Sequence, residues 1–373
     1  MTMTELEAIR PSGRQVPDPA RSGVPTLGAC IQPRKNPYSP GSGLRPAALA
    51  GRDGELKEWR VALQRLQNAR SAKSVVLHGL RGEGRTVLLG EFHRMAEERD
   101  WVTVIIEANT VCPLRDTLAR ALYPAVRELV RPSAGDKLTK ALATFKAFSV
   151  MLDIAGAWSF GLDVAAEPGR GDSGQLEADL SELIRDLSEA AQEQGHGLAI
   201  LIDEAQDLTR DELKALCAIC HRSGQLRWPL LVVLAGLPSL PRALSKANSF
   251  ARTSLQLLGD RSTATWRGTE ALTWPAAGEG VAWDEDAVRY VMMETRGHPY
   301  LLQACGQATR DAAEGATLTY DDARVGVVSG QAHLDAGFTD PSGNGLPVRN
   351  VLTSKRWPWT PAARAILVTS PPG

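Results

Sequence analysis

Apolar residues along this chain follow two different spacings. Short, almost uninterrupted apolar runs, which are typical of buried strands, occupy 74–79, 102–108, 197–203 and 229–236. Between these runs apolar residues recur every three or four positions, which predicts helices at 55–70, 86–100, 113–130, 136–147 and 176–194, one from Asp211 and one near Pro241. Strands that alternate with helices predict an α/β fold, in which a parallel sheet carries helices on both faces.

The same pattern divides the chain into parts. Residues 1–45 are rich in Pro, Gly, Ser and Arg without an apolar period, so we expect a disordered N-terminal segment. Residues 46–250 form the predicted core. A wholly helical pattern from about 268 predicts a small helical lid domain at 251–338. The tail at 339–373 is rich in Pro and Gly, and we expect it to be poorly ordered.

Composition excludes a few classes of protein. Of 373 residues, 43% are hydrophobic and 23% are charged, which is ordinary for a globular protein. The formal net charge of -1 argues against a globally basic nucleic-acid binder, although a local basic patch stays open. No apolar run approaches the roughly 18 residues of a membrane span, and the N-terminus lacks the apolar core of a secretory signal. Five cysteines, an odd number, then indicate reduced thiols in the cytoplasm.

One cysteine spacing has two interpretations. Cys217, Cys220 and His221 spell C-x-x-C-H, the string of c-type haem attachment, and a lone C-x-x-C is weak support for zinc. However, Leu213, Leu216 and the two cysteines share one face at helical spacing. The sequence therefore favours an ordinary core helix at this position.

A glycine-rich loop follows the first predicted strand and leads directly into a helix. It matches Gly79, Gly84 and Thr86 of the phosphate-binding pattern G-x-x-x-x-G-K-[ST]. Glycines let the backbone N–H groups turn toward phosphate, the helix N-terminus adds its positive dipole end, and the threonine hydroxyl can ligate Mg²⁺. An ordinary glycine-rich turn is the alternative. The predicted nucleotide-binding residues of the loop are Gly79, Gly82, Glu83, Gly84, Arg85, Thr86 and Val87.

Arg85 stands where this pattern has lysine. The positive charge is kept, but a wide planar guanidinium replaces a compact ammonium group on a slim stem. We expect nucleotide to bind and the placement of the γ-phosphate to suffer. Arg85 is therefore predicted as a catalytic residue of weakened effect.

A second motif follows the third predicted strand. The apolar run at 198–203 ends in Asp203 and Glu204, the pattern called Walker B. Asp203 is predicted to hold Mg²⁺ through water, and Glu204 is predicted to polarise the attacking water as the catalytic base. Acids in the first turn of a helix are the alternative. Both motifs, in this order, predict a P-loop nucleoside triphosphatase.

These residues resemble the bacterial AAA+/STAND-type ATPases, which are related to archaeal and origin-recognition ATPases. The resemblance covers roughly 36–338, and the two motifs with the string D-E-A-Q-D-L at 203–208 are its most specific part. It implies a P-loop ATPase core with a helical lid, and it implies ATP or ADP and Mg²⁺ as the bound groups.

The resemblance also implies an adenine side of the site. The strings N-P-Y-S-P-G at 36–41 and G-R-D-G-E-L at 51–56 resemble the family's N-terminal adenine-side motif, which adds Gly51 and Arg52 to the nucleotide-binding residues. The string G-H-P-Y resembles the lid motif whose proline, here Pro299, packs near the adenine.

The sequence departs from the family pattern in its second half as well. The stretch at 235–241 falls where the family has sensor one, yet it offers no polar side chain until Ser239. After Phe250 the family continues with a string like Glu-Arg-Leu-Phe, which is a source of a sensing arginine and is absent here. Arg252 is the remaining arginine, and an ordinary solvated surface arginine is the favoured interpretation.

Two segments look as though they were translated out of frame. With suitable synonymous codons, dropping one base at Arg252 gives Glu-Arg-Leu-Phe-Ser-Tyr-Ser-Glu-Ile-Asp, which restores the missing string. Dropping two bases at Gly343 gives a stretch that resembles the first helix of the family's winged-helix domain. We therefore expect frameshifts at 252–268 and 339–373 with loss of the winged helix, and genuine divergence is the alternative.

The function that these features imply is ATP binding with Mg²⁺-dependent hydrolysis, weakened by Arg85 and coupled to a conformational switch between core and lid. A nucleotide-binding regulator without efficient hydrolysis is one alternative. A DNA-associated ATPase like the initiator and loader relatives is another, and the net charge of -1 and the lost winged helix argue against it. The expected partners are nucleotide and either an unknown protein or a second copy of the chain, with no membrane.

Overall fold

A parallel sheet forms the centre of the molecule. The computed structural model describes residues 36–41, 43–129, 135–149, 164–166, 169–259 and 265–338. Within these residues the sheet has five strands, in the spatial order β2-β3-β4-β1-β5. The strands are β1 Ser74–His78, β2 Val102–Glu107, β3 Leu198–Asp203, β4 Leu230–Gly236 and β5 Leu255–Gly259. The first four fall on the predicted apolar runs.

Helices fill the connections between these strands and make up most of the C-terminal part. The described residues contain the helices α1 Asp53–Gln67, α2 Arg85–Glu97, α3 Leu114–Leu129, α4 Asp136–Ser149, α5 Leu176–Glu193, α6 Arg210–Leu226, α7 Leu240–Ala247, α8 Ala251–Ser254, α9 Thr265–Gly278, α10 Glu285–Thr295, α11 Pro299–Ala312 and α12 Tyr320–Phe338. Not one of these helices has the length and apolar character needed to cross a bilayer.

Both faces of the sheet are apolar, because successive side chains of a strand point to opposite faces. In β1, Val76 lies in the core under α3 to α7, whereas Val75 and Leu77 lie in the core under α1 and α2. In β3, Ile200 and Leu201 are divided between the two cores in the same way. Helices on both faces are needed to remove this surface from water. The predicted α/β class, with helices on both faces, is confirmed.

Helix α6 carries the C-x-x-C-H string and packs against the sheet. Cys217 is fully buried and Cys220 nearly so, together with Leu213 and Leu216. Burial raises the pKa of the Cys217 thiol to about 11 and that of Cys220 to about 12. Both cysteines therefore act as small apolar core residues, as the helical spacing predicts.

Strand β5 lies in the segment of weak periodicity after Phe250, and the apolar pattern does not predict it. The strand pairs with β1, with Leu255 opposite Ser74. Leu255 is buried, while Leu257 is 55% exposed, because β5 stands at the edge of the sheet. Residues 260–264, in the middle of the predicted first frameshift, lie outside the described residues.

Helices α9 to α12 gather around a third apolar core, separate from the two cores of the sheet. The expectation of a wholly helical segment is wrong in one respect. Two short strands, β6 Ala282–Trp283 and β7 Thr317–Leu318, pair in parallel and tie the starts of α10 and α12 together. Each strand has only two residues, which is too short for any periodicity. The domain boundaries at 250 and 338 stay a prediction, and the tail at 339–373 lies outside the described residues.

Residues 36–41 belong to the segment that the sequence predicts to be disordered, and for them the prediction is wrong. The Tyr38 side chain is 1% exposed and lies in the third core. Its hydroxyl donates to the Leu272 carbonyl over 2.5 Å and accepts from the Trp283 indole N–H over 2.7 Å. Burial raises the pKa of this hydroxyl well above its usual range. Residues 1–35 lie outside the described residues.

Removing the Tyr38 hydroxyl is expected to destabilise the third core. Tyr38→Phe removes the donor to the Leu272 carbonyl and the acceptor of the half-buried Trp283 N–H, which costs about 1–3 kcal/mol in the free energy of unfolding. Urea unfolding followed by tryptophan fluorescence measures this loss. Tyr320→Phe, at an exposed tyrosine, is the control. Equal stability of Tyr38→Phe and the parent chain would contradict the assigned contacts.

Candidate functional site

The loop between β1 and α2 has the backbone that its glycines permit. Gly82 and Gly84 have φ of 78° and 76°, in the left-handed region that side chains other than glycine rarely adopt. Gly84 is the N-cap of α2, which begins at Arg85. A Cβ on Gly82 would also lie 2.6 Å from a ring carbon of His298. Glycine is therefore required twice over at position 82, by conformation and by the approach of the lid.

Three predicted nucleotide-binding residues support this loop from behind. The buried Glu83 carboxylate accepts the Leu80 N–H over 2.6 Å and fills the space beside Gly79. Arg52 donates to the Glu83 carbonyl over 2.5 Å and pairs with Glu55 at 2.9 Å. The side chains of Arg52 and Glu83 thus hold the shape of the loop, and the glycine at 79 makes room for the carboxylate.

Thr86 and Asp203 meet at the edge where β1 and β3 end. Strand β4 lies between these two strands, yet the Thr86 hydroxyl reaches across it and donates to Asp203 Oδ2 over 2.6 Å. Asp203 Oδ1 accepts the backbone N–H of Glu204 over 2.8 Å. A hydroxyl and a carboxylate oxygen side by side are ligands that a hard cation such as Mg²⁺ prefers.

Arg85 is largely buried and incompletely paired. Its side chain is 10% exposed, and Nη2 lies 3.7 Å from Glu204 Oε1. Nη1 is buried and has no hydrogen-bond partner among the described residues. An unsatisfied buried donor is costly, and an anion in the adjoining cavity would satisfy it.

The cavity beside this loop has a volume of about 750 Å³. The P-loop with Glu204 forms one wall, the segments 39–41 and 43–52 form a second, and the lid between Gly268 and Gln303 forms the third. The lid also contacts the P-loop directly. The Tyr300 N–H donates to the Gly82 carbonyl over 3.2 Å, and His298 Nε2 lies 3.1 Å from the Arg81 carbonyl oxygen.

Most of the predicted site residues lie around this cavity. Those that line it are Arg52, Gly82, Glu83, Gly84, Arg85, Thr86, Val87, Glu204 and Pro299. Gly51, Gly79 and Asp203 do not line it. Gly51 has a left-handed backbone conformation and directly precedes Arg52. Gly79 lines a small adjoining pocket, and Asp203 is connected to the site by its hydrogen bond with Thr86. Ser239 and Arg252 are exposed and stand away from the cavity.

Two further residues of the site were not predicted. His298 contacts the P-loop from the lid, and Gln206 contacts Glu204 from the turn after β3. Both stand inside strings that the family resemblance names, but nothing in the spacing of either string assigns them a partner.

The sheet, the loop and the two acids together define a P-loop nucleoside triphosphatase fold. Three observations fit a nucleoside triphosphate with a divalent cation: the left-handed glycines of the loop, the Thr86–Asp203 oxygen pair and the unpaired Arg85 donor. Comparison with protein families then narrows the class. Residues 48–233, just under half of the chain, match the family model described as "AAA ATPase domain".

Several solved structures are similar to this chain at low sequence identity. Cdc6p from Pyrobaculum aerophilum has 14% identity and a TM-score of 0.44, over 74% of this chain and 66% of that one, so the match spans just under two thirds of that protein. A Walker-type ATPase of Pyrococcus abyssi has 15% identity and a TM-score of 0.47, and the match covers 86% of this chain and 85% of that one. The Thermotoga maritima RuvB Holliday junction branch migration motor has 16% identity and a TM-score of 0.44, and the match covers 87% of this chain and 85% of that one. Comparison with curated protein sequences found no match.

The metal dependence of nucleotide binding is expected to need both oxygens of the Thr86–Asp203 pair. Thr86→Ala and Asp203→Ala should each remove most of the gain in ATP affinity that Mg²⁺ gives over EDTA, because each removes an oxygen ligand of a hard cation. Calorimetric titration with ATP, with and without Mg²⁺, measures this gain. Thr139→Ala, at an exposed threonine of α4, is the matched control. If Mg²⁺ raised ATP affinity in both variants as much as in the parent chain, the assignment of Thr86 and Asp203 to a metal site would be contradicted.

Proposed function

We propose that this protein binds ATP and ADP with Mg²⁺ and hydrolyses ATP at a weakened rate. The observation that carries the proposal is the 2.6 Å contact of Thr86 with Asp203 beside a glycine-rich loop and a cavity large enough for a nucleotide. Glu204 stands at the edge of the same cavity. Phosphate binding, metal binding and a base are thus supported by one group of residues.

Each part of the chain has a distinct role in this proposal. The backbone N–H groups of the loop and of the first turn of α2 bind the phosphates, aided by the dipole of the helix. Thr86 and Asp203 would hold Mg²⁺, which would neutralise phosphate charge. Residues of the segment 43–52 and Pro299, which line the cavity, would cover the base and the sugar.

Glu204 is the proposed general base. Its backbone has φ of 48°, in the left-handed region, and its side chain is 25% exposed beside the cavity. A carboxylate in this place can orient a water and accept its proton. Arg85, 3.7 Å away, pairs with the same carboxylate and competes with that role.

Hydrolysis is proposed to drive a switch between core and lid. The lid contacts two successive carbonyls of the P-loop, those of Arg81 and Gly82, through His298 and Tyr300. A change of the loop on loss of the γ-phosphate would therefore alter the surface on which the lid rests.

A nucleotide-binding regulator without efficient turnover is the second candidate, and the Arg85 side chain favours it. The guanidinium is a wide fork in place of a point charge, one arm lies near the base, and the other has no partner among the described residues. Binding would survive this arrangement better than catalysis. The net charge of -1 argues against a DNA-associated role.

The subfamily, the bacterial origin and the cellular compartment of the protein are proposed as well. We propose a bacterial, STAND-type member of this class that works in the cytoplasm with a protein partner or a second copy of itself. Support comes from the family strings and from the thiols of Cys112, Cys217, Cys220 and Cys305, which are all free and suit a reducing compartment.

Frameshifts at 252–268 and 339–373 are part of the proposal. Their support is the restoration, in both shifted frames, of strings that resemble the family. Sequencing of the gene tests the idea, and the expected result is a pair of shifted frames that encode those strings. Codons that do not encode those strings in either shifted frame would establish residues 252–268 and 339–373 as genuine divergence.

Restoring lysine in the P-loop is expected to raise turnover. Arg85→Lys should increase phosphate release at saturating ATP about tenfold or more, equivalent to at least roughly 1.4 kcal/mol of barrier. The reason is that a compact charge on a slim stem can stabilise the transferred phosphate and leaves Glu204 free to act. ADP affinity, measured by calorimetry, should change much less.

Glu204→Gln in the Arg85→Lys chain is the control for this prediction. The amide keeps the shape of the side chain but cannot accept a proton, so the gain in phosphate release should disappear while ATP still binds. Equal rates in the parent and in Arg85→Lys would contradict the role assigned to Arg85. ATP binding with no release in any variant would favour the regulator.

A further inference from the structure

Gln206 connects the proposed base with the end of another strand. It lies in the short 3₁₀ turn Ala205–Asp207, directly after Glu204. Its side-chain N–H donates to Glu204 Oε2 over 2.6 Å, and its side-chain carbonyl accepts the backbone N–H of Leu237 over 2.9 Å. Leu237 is the first residue after β4. One amide group thus spans the gap between the ends of β3 and β4.

The close approach of the Gln206 amide to the end of β4 depends on Gly236. A Cβ at this position would lie 2.7 Å from the Gln206 carbonyl oxygen, so a side chain there would push the amide out of place. Glycine at the end of β4 therefore keeps room for the Gln206 amide.

Gln206 is the closest side-chain partner of the Glu204 carboxylate among the described residues. Three charged groups also face the carboxylate or the turn that carries it. Arg85 Nη2 from α2 lies at 3.7 Å from Oε1, Asp203 from β3 is engaged with Thr86 and with the Glu204 backbone N–H, and Asp207 lies 3.4 Å from the Gln206 amide nitrogen. Among the described residues, Gln206 hydrogen-bonds the carboxylate at 2.6 Å, whereas the Arg85 contact is longer, at 3.7 Å.

We infer that Gln206 is a positioning residue, which fixes the Glu204 carboxylate relative to the end of β4. The inference rests on the proposed function, because it takes Glu204 as the base. An amide suits this place, since it donates to a carboxylate on one side and accepts from a backbone N–H on the other. The end of β4 offers no polar side chain before Ser239, so the link to the base goes through the Leu237 backbone and Gln206.

Two substitutions distinguish the hydrogen bond of Gln206 to Glu204 from its hydrogen bond to Leu237. Gln206→Glu keeps an acceptor for the Leu237 N–H but replaces the donor by a second carboxylate beside Glu204. Gln206→Met has a similar length and removes both hydrogen bonds. Gln225→Glu, at an exposed glutamine of α6, makes the same change of charge away from the cavity and is the control.

The first readout needs no turnover. Amide hydrogen exchange at Leu237 should speed up in Gln206→Met, which removes the acceptor of the Leu237 N–H, and stay near the parent rate in Gln206→Glu, which keeps an acceptor. Gln225→Glu should leave this exchange rate unchanged.

The second readout is phosphate release. In both variants kcat should fall about tenfold through loss of orientation, with KM for ATP near the parent value. A lowered kcat beside an unchanged KM is a split that a merely structural role would not produce. Arg85→Lys is used as the background if parent turnover is too slow to measure.

The outcomes distinguish this inference from the proposed function. Normal turnover in both variants, with unchanged Leu237 exchange in Gln206→Met, would overturn the role of Gln206 and leave the ATPase proposal intact. Faster Leu237 exchange in a Gln206→Met chain that binds ATP, with no phosphate release from any variant, would support the link through Gln206 and overturn the hydrolysis proposal.

Discussion

Parallel pairing brings the carboxyl ends of β1, β3 and β4 to one edge of the sheet, and every group of the candidate site depends on this constraint. The P-loop leaves β1, the two acids leave β3, and the Leu237 N–H follows β4. Registers are fixed because both faces of each strand are buried, so a one-residue slip would turn core side chains to the wrong core. The 2.6 Å contact of Thr86 with Asp203 is therefore a consequence of how the whole sheet packs.

The site combines a rigid frame with one imperfectly accommodated charge. Glycines, Arg52 and Glu83 hold the loop by contacts that leave little freedom. Arg85 is instead buried beside this frame with one nitrogen unpaired and one at 3.7 Å from Glu204. Removing a guanidinium from water without full pairing costs free energy, and the arrangement stores that cost next to the cavity. A bound phosphate would relieve it, which favours affinity over turnover.

The sequence predicts the parts of the fold whose signal is local. Strands β3 and β4 are buried on both faces and appear as uninterrupted apolar runs, whereas the edge strand β5 has an exposed leucine and gives no such run. Thr86 and Asp203 are predictable because their motifs have fixed spacing. The contact of Gln206 with Leu237 spans 31 positions and that of His298 with Arg81 spans 217, so both depend on packing that no spacing encodes.

The N-terminal segment has a consequence for how fast nucleotide exchanges. Tyr38 is bonded to lid residues, Arg52 is bonded to the P-loop, and residues 39–41 together with several residues between 43 and 50 line the cavity as a strap. The strap is thus fastened to two different walls of the cavity. In the proposed function, escape of a bound nucleotide would require the strap to move or one fastening to break, so this local opening would set the residence time. Phosphate contacts would then govern how much nucleotide is bound, and the strap would govern how long each molecule stays.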